Sequence, residues 1–268
     1  LVVNASCKNY AANKDGLKKF EQLVDCSVFE VKGKKIQPTI KKLNEYDIVV
    51  ISGGDGSIHT AVQNIGDGQV LGVFPSGTLN HFVKDAKLPQ SPEELADSIN
   101  NFKVKKVDLV EVNDEKIINN LSIGFYPEFV EKREALESKL GKMLAYLPAF
   151  IKQLINHNHQ KIQLENANEK KELNFHCFMI SNNCYNIDFP SLFQRDNLEE
   201  GKVGIYCLKS SKDYNDNSLW QIESIEHEIV IKSKKKFLKV AMDGEVKEFK
   251  APLRIKPLPQ KLKVISSL

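Results

Sequence analysis

The sequence predicts an α/β domain with a mostly parallel sheet, followed by a mainly antiparallel β-sandwich domain. Three observations carry that expectation. Strand-like and helix-like runs alternate over about the first hundred residues, the pattern of βαβ units. After about Lys105 the texture changes to short strand-like runs separated by turns. A chain of 268 residues is also longer than one core usually occupies.

The elements follow in order. "LVVNAS" reads as a strand, and Asp15 to Leu23 as a helix with Leu17, Phe20 and Leu23 on one side. "CSVFEVK" is a second strand, Ile36 to Leu43 a helix, and "DIVVIS" a buried-type strand. Thr60 to Ile65 forms part of the next helix, and "VLGVFPSG" is another strand. Ser91 stands as N-cap before "PEELADSINNF", with Glu94 three residues on, a capping-box pattern. The second half offers "KVDLVEV", "KIINNLSIGF", "KIQLEN", "NFHCFMISN", "KVGIYCLK", "HEIVIKS", "FLKVAMDG", "EVKEFKA" and "LRIKPL" as strands. One helical section, roughly Phe129 to Ile155, interrupts them. The expected domains are 1–108 and 109–255, with a tail of about 256–268 packing back on the first.

Composition narrows the function classes. Net charge is +3 with a pI near 8.4, too mild to argue for nucleic acid. Lysines do cluster at Lys32-Gly33-Lys34-Lys35 and in "KSKKKFLK", Lys232 to Lys239. Such runs are either solvated faces or attract anionic headgroups and phosphates. The five cysteines, Cys7, Cys26, Cys177, Cys184 and Cys207, show no CxxC pair and no ligand spacing, so zinc and a disulfide framework are not indicated. Reduced thiols in a cytoplasm fit best, and no signal peptide is visible. "MLAYLPAFIKQLI", Met143 to Ile155, is too short for a bilayer span of about 20 apolar residues. The expected protein is cytoplasmic, touching the inner face of the membrane only transiently.

The chemistry centres on "VVISGGDGSIHTAV", Val49 to Val62. A strand runs into Gly53, Gly54, Asp55, Gly56 and Ser57, and a helix-like segment follows. Glycines without Cβ let phosphate oxygens reach peptide N–H groups, and the helix points its positive end at them. A second such turn, "VFPSGTLNHFVKD", offers Ser76, Gly77, Thr78 and Asn80 after the next strand. Two small-residue turns at the carboxyl ends of parallel strands fit the crevice where open α/β sheets bind ligands. Neither is a Walker P-loop or a GxGxxG fingerprint.

Taken in order, "GGDGS", "PSGTLNHF", "NNLSIGF" and "MDGE" resemble the diacylglycerol kinase catalytic family. The branch most similar is the bacterial soluble lipid kinases, related to sphingosine and ceramide kinases and more distantly to NAD kinases. The resemblance implies that fold, with Mg²⁺ and ATP over the GGDG turn and a diacylglycerol-like lipid as acceptor. It places Gly53, Gly54, Asp55, Gly56, Ser57, Ser76, Gly77, Thr78 and Asn80 around the nucleotide, with Asn4, Ser6 and Thr39 as further contacts. The family's first turn usually carries proline and glycine; here it reads "VVNASCKNYAAN", with Asn4 kept.

Asp243 and Glu245, in "VAMDGEV", are the candidate catalytic carboxylates. By pattern alone, Asp-Gly between alternating strands is a hairpin turn; the resemblance makes Asp243 the general base. It also implies that Asp108 precedes the second domain and holds a cleft cation, and that Asn119 and Gly124 shape the cleft or serve as plain turn residues. A structural Mg²⁺ in some members matches Asn197, Glu200 and Lys202 of "RDNLEEGKVGI", where Glu200 replaces an aspartate. Leu144, Leu147 and Phe150 lie on an apolar helix face that is either core or the groove receiving the lipid. His81 is expected as a helix-start contact, and the six histidines form no ligand spacing. Open alternatives are an NAD-kinase-like enzyme with a soluble acceptor and a catalytically silent lipid- or nucleotide-binding regulator. Homodimerisation stays open, and no nucleic-acid partner is expected.

Overall fold

The computed structural model describes residues 1–76, 81–124, 160–166, 169–186, 195–209 and 220–267. The chain divides into two compact units. Leu1–Leu109, Tyr185–Gly201 and Leu258–Leu268 form the first, and Val110–Cys184 with Lys202–Pro257 the second.

In the first unit the alternation becomes β1 (Val2–Asn4), α1 (Lys14–Leu23), β2 (Phe29–Val31), α2 (Ile36–Ile40), β3 (Ile48–Gly53), α3 (Asp55–Asn64), β4 (Val70–Pro75), α4 (His81–Asp85) and α5 (Pro92–Asn100). The strands pair in the order β2-β1-β3-β4, all parallel. Chain order therefore reverses between β1 and β3, which makes that gap the switch point of the sheet. The core against this sheet gathers Val3, Leu17, Phe20, Val50, Phe74 and Leu95. Phe20 meets Phe74 edge-on with ring centroids 5.9 Å apart. Each such side chain stabilises by about 1.5–3 kcal/mol when fully buried.

Two local expectations change. Leu23 is 43% exposed rather than on the buried side of α1, because the helix ends there and Val24 takes the core place. Helix α3 begins at Asp55, one turn before Thr60, since a glycine-rich start has low helix propensity and hid its first turn. The capping box forms as read: Ser91 Oγ accepts from Glu94 N–H at 3.1 Å, and Glu94 Oε2 accepts from Gln90 N–H at 2.8 Å.

Strand β5 (Val104–Val112) leads into the second unit, which holds β6 (Glu115–Ile117), β7 (Asn120–Gly124), β8 (Gln160–Glu165), β9 (Lys170–Asn182), β10 (Val203–Lys209) and β11 (Trp220–Ile225). After them come β12 (Ile229–Lys232), β13 (Phe237–Met242), β14 (Glu245–Lys250) and the long β15 (Leu253–Ile265). The strands pair antiparallel in the order β14-β13-β7-β9-β8-β12-β15, and β10 lies between β9 and β11. Strand β9 pairs β8 through its first half, Lys170 to Phe175, and β7 through its second, Cys177 to Ser181. Phe175 and Phe178, both fully buried, head the core that Leu121, Ile180, Ile205, Val240 and Leu253 complete.

Strand β15 serves both units in turn. Its first residues pair β12 antiparallel, Leu253 opposite Ile231, and its last pair β4 parallel, Lys263 opposite Val70. The tail 258–268 thus belongs to the first unit.

Candidate active site

In the first unit, strand β3 ends at Gly53 and Gly54 is the N-cap of α3, with extended backbone (φ −84°, ψ −175°). Gly54 O accepts from Ser57 N–H at 2.8 Å and Ile58 N–H at 3.1 Å, closing the first turn of the helix. Asp55 is the first residue of α3, where a negative side chain faces the positive end of the helix dipole. Gly53 is required by contact rather than by φ: a Cβ there would stand 2.3 Å from Ser57 Oγ.

Asn4, at the end of β1, bridges the switch point. Its Nδ2 donates to Ser57 Oγ at 2.9 Å, and its Oδ1 accepts from Ser6 N–H at 3.0 Å, fixing the first-strand turn. A second chain of hydroxyls ties β4 to β3. Ser52 Oγ donates to Ser76 Oγ, and Ser76 Oγ donates to Gly53 O, both at 3.2 Å. Asn13 Nδ2 reaches Ser76 O at 3.4 Å. Ser52, Ser57 and Ser76 are buried, so this network holds the ends of β3 and β4 in one arrangement. The structure thus gathers Asn4, Gly53, Gly54, Asp55, Ser57 and Ser76 at the carboxyl ends of β1, β3 and β4. Thr39 lies in α2, its hydroxyl donating to Lys35 O, at the start of that helix, at 2.8 Å. Gly77, Thr78 and Asn80 lie outside the described residues, as do Leu144, Leu147 and Phe150.

In the second unit, Asp243 and Gly244 form the two-residue turn between β13 and β14, with φ of 47° and 88° and Met242 opposite Glu245. The turn directs the Asp243 carboxylate at the backbone before β7, where Oδ1 accepts from Asn119 N–H at 2.8 Å and Asn120 N–H at 3.1 Å, and Oδ2 from Ile118 N–H at 3.0 Å. Asp243 is only 9% exposed, so these bonds replace most of its hydration. Glu245 is exposed beside Lys247, which also pairs Glu115 at 2.6 Å. Asn119 is buried, and Gly124 has φ of 100° with a would-be Cβ 2.5 Å from His176 O, so both are fixed by close backbone packing.

Asp108 accepts from Gly201 N–H at 2.6 Å and Gln260 N–H at 2.7 Å, fastening two later segments to the first unit. Nearby, Glu199 N–H donates to Asn197 Oδ1 at 2.9 Å, and Asn197 Nδ2 lies 3.5 Å from Glu200 Oε1. In the second unit, Lys202 O accepts from Asn183 N–H at 2.9 Å. Among the described residues, no three or more His, Cys, Asp or Glu side chains cluster to hold a metal ion.

Sequence reasoning passed over Arg195. Its Nε and Nη2 meet Asp85 Oδ2 at 2.8 and 2.7 Å, with the guanidinium 5.2 Å from the Tyr185 ring centroid. The pair is buried, and it holds the end of α4, the helix that follows the second turn. The partners are 110 positions apart, so no local signal could have joined them.

Residues 3–112 match the diacylglycerol kinase catalytic domain. A protein of Staphylococcus carnosus, provisionally named a lipid kinase, is 23% identical over 82% of this chain and 77% of its own. A diacylglycerol kinase crystal structure from Bacillus anthracis superposes with a TM-score of 0.70 at 17% identity, covering 99% of this chain and 95% of the other. An NAD kinase from Archaeoglobus fulgidus, solved with ATP, gives 0.60 at 14% identity over 99% and 92% of the two chains. The fold is that of the diacylglycerol and NAD kinases.

Proposed function

On the premise that residues 3–112 carry a diacylglycerol kinase catalytic domain, we propose that the protein is an ATP-dependent lipid kinase. It transfers the γ-phosphoryl of Mg-ATP to a hydroxyl of a diacylglycerol-like lipid. The observation that supports the reading is the glycine turn after β3, tied to β1 at the switch point of the parallel sheet by Asn4–Ser57 and to the end of β4 by Ser52–Ser76–Gly53.

The chemistry follows from those parts. The ATP phosphates lie against the N-terminal turn of α3, where Gly53 and Gly54 leave room and the helix dipole favours negative charge. A Mg²⁺ ion bound with the nucleotide would offset charge on the phosphoryl oxygens. That charge also gives Asp55 its place, since a carboxylate among phosphates suits a metal–nucleotide complex. Asp243 takes the acceptor's hydroxyl proton as the new P–O bond forms and the bond to the β-phosphate oxygen breaks, releasing ADP. Its three N–H bonds fix the carboxylate in one orientation. Gly77, Thr78 and Asn80 complete the nucleotide's surroundings, and the 143–155 segment receives the acyl chains.

The test is incubation of the protein with Mg-ATP and a lipid extract, followed by mass spectrometry of the lipids. A phosphorylated neutral lipid is expected. If NAD alone takes phosphate, the NAD-kinase-like reading replaces this one; if nothing does while ATP still binds, the protein is a nucleotide-binding regulator.

A further inference from the structure

We propose that the turn connecting β12 to β13 in the second unit docks the protein on an anionic bilayer surface. This deepens the lipid-kinase reading, on which it rests for its purpose. Strand β12 ends at Lys232 and β13 begins at Phe237, so Ser233, Lys234, Lys235 and Lys236 make the tip. From Lys232 to Lys239 there are five lysines and no acidic residue. Lys232 is paired with Glu165. Lys234, Lys235 and Lys236 are exposed and form no ion pair among the described residues. Three adjacent cations are therefore left to the solvent.

An apolar group accompanies them. Phe237 is 51% exposed, whereas its neighbour Leu238 is buried at 1%. The alternation of the strand forces this: with Leu238 in the core, Phe237 must point outward. Lys236 Nζ lies 5.7 Å from the Phe237 ring centroid, and Lys250 stands opposite Phe237 across the β13–β14 ladder. The tip has a defined shape, because Lys235 N–H donates to Ser233 Oγ at 3.1 Å and Ala251 N–H to Lys236 O at 3.0 Å.

A rigid turn offering three unpaired lysines and one outward phenyl ring fits the boundary of a negatively charged bilayer. The ammonium groups meet headgroup phosphates, and the ring enters at headgroup depth. A nucleic acid suits it less, since the tip has no arginine and the chain as a whole carries only +3.

The experiment is flotation of the full chain with unilamellar vesicles of phosphatidylcholine alone or with about one-third phosphatidylglycerol. Partitioning is expected on the anionic vesicles only, and it should fade as salt shortens the Debye length from about 10 Å at 0.1 M to about 3 Å at 1 M. Lys234→Gln/Lys235→Gln/Lys236→Gln should lower the partition coefficient on the order of a hundred-fold, taking about tenfold or less per lysine. Phe237→Ser should lower it further, with melting temperature unchanged in both variants. Equal partitioning of the triple variant, equal binding to neutral vesicles, or retention on an oligonucleotide without vesicle binding would each overturn the proposal. A second assay separates this from the kinase reading. On a short-chain, water-dispersed diacylglycerol the triple variant should keep the wild-type rate, and on vesicle-embedded lipid it should lose it. Wild-type inactivity on both acceptors would remove the lipid-kinase reading, while flotation would still decide the docking surface.

Discussion

A methyl group at Gly53 would meet Ser57 Oγ at 2.3 Å and Asn4 Cβ at 3.4 Å, two groups that already bond each other. Gly53→Ala is therefore expected to push the Asn4–Ser57 bridge apart, at about 1–3 kcal/mol for overpacking. Calorimetric titration with an ATP analogue should show affinity reduced about tenfold or more, and the melting temperature should drop by several degrees. Unchanged affinity would mean that the nucleotide does not use this turn. Asp243→Asn is a different kind of change. The amide offers one acceptor oxygen where the carboxylate serves three N–H groups, so the variant should lose about 1–3 kcal/mol as well as turnover. If activity falls only in proportion to the folded fraction, Asp243 anchors the backbone at 118–120 and is not the base; a fully folded, inactive variant supports the base. The glycines were legible because a close approach demands a missing Cβ. The three N–H partners of Asp243 were not, since they lie more than 120 positions away.

Among the elements, α5 was legible through its cap, because Ser91 and Glu94 act within one turn. Ser91→Ala should cost about 1 kcal/mol of stability, read by denaturant unfolding. The Glu94 carboxyl is held below its ordinary range chiefly by the Gln90 N–H, then by the Ser267 hydroxyl, and that of Glu165 by Lys232 and Lys170. A depressed folded-state pKa adds stability above the unfolded value of about 4.3, and that stability is lost as pH falls through the folded value. Melting temperature should thus decline on acidification below about pH 4.3, and Glu94→Gln should flatten part of that decline. The link between α4 and Arg195 was not legible, because burial of an ion pair is a property of the assembled unit. Arg195→Met should destabilise by about 3–5 kcal/mol by leaving Asp85 buried without its cation, and Arg195→Met/Asp85→Leu should recover much of the loss.

For the molecule as a whole, the change of texture near Lys105 marked a change from parallel to antiparallel sheet, since buried parallel strands read as continuous apolar runs and antiparallel ones alternate. The boundary near 108 and the returning tail were expected; what the linear reading missed is the return at Tyr185–Gly201, which brings the passages between the units to four, after Leu109, Cys184, Gly201 and Pro257. Residue spacing records neighbours along the chain, and these returns depend on groups such as Asp108 that catch distant backbone. Among the described residues no helix is long and apolar enough to cross a membrane. Within the second unit, burial pushes the Cys207 thiol up to about 12, aided by Cys177. Iodoacetamide at pH 8 should accordingly leave Cys207 unmodified in the native protein and label it only after unfolding, as peptide mass spectrometry would show.

The strand that flanks β4 also dictates when the first unit can exist during synthesis. The GGDG loop is translated early, yet Gln260, which caps Asp108, and Ile265, which fills the core, come more than 200 positions after Gly53. A nascent chain still held in the ribosomal tunnel has the loop but not the fold that shapes it. A chain truncated before Leu258 should fail to assemble this unit and pass to proteolysis, because the loop is then present without the strand that pairs β4.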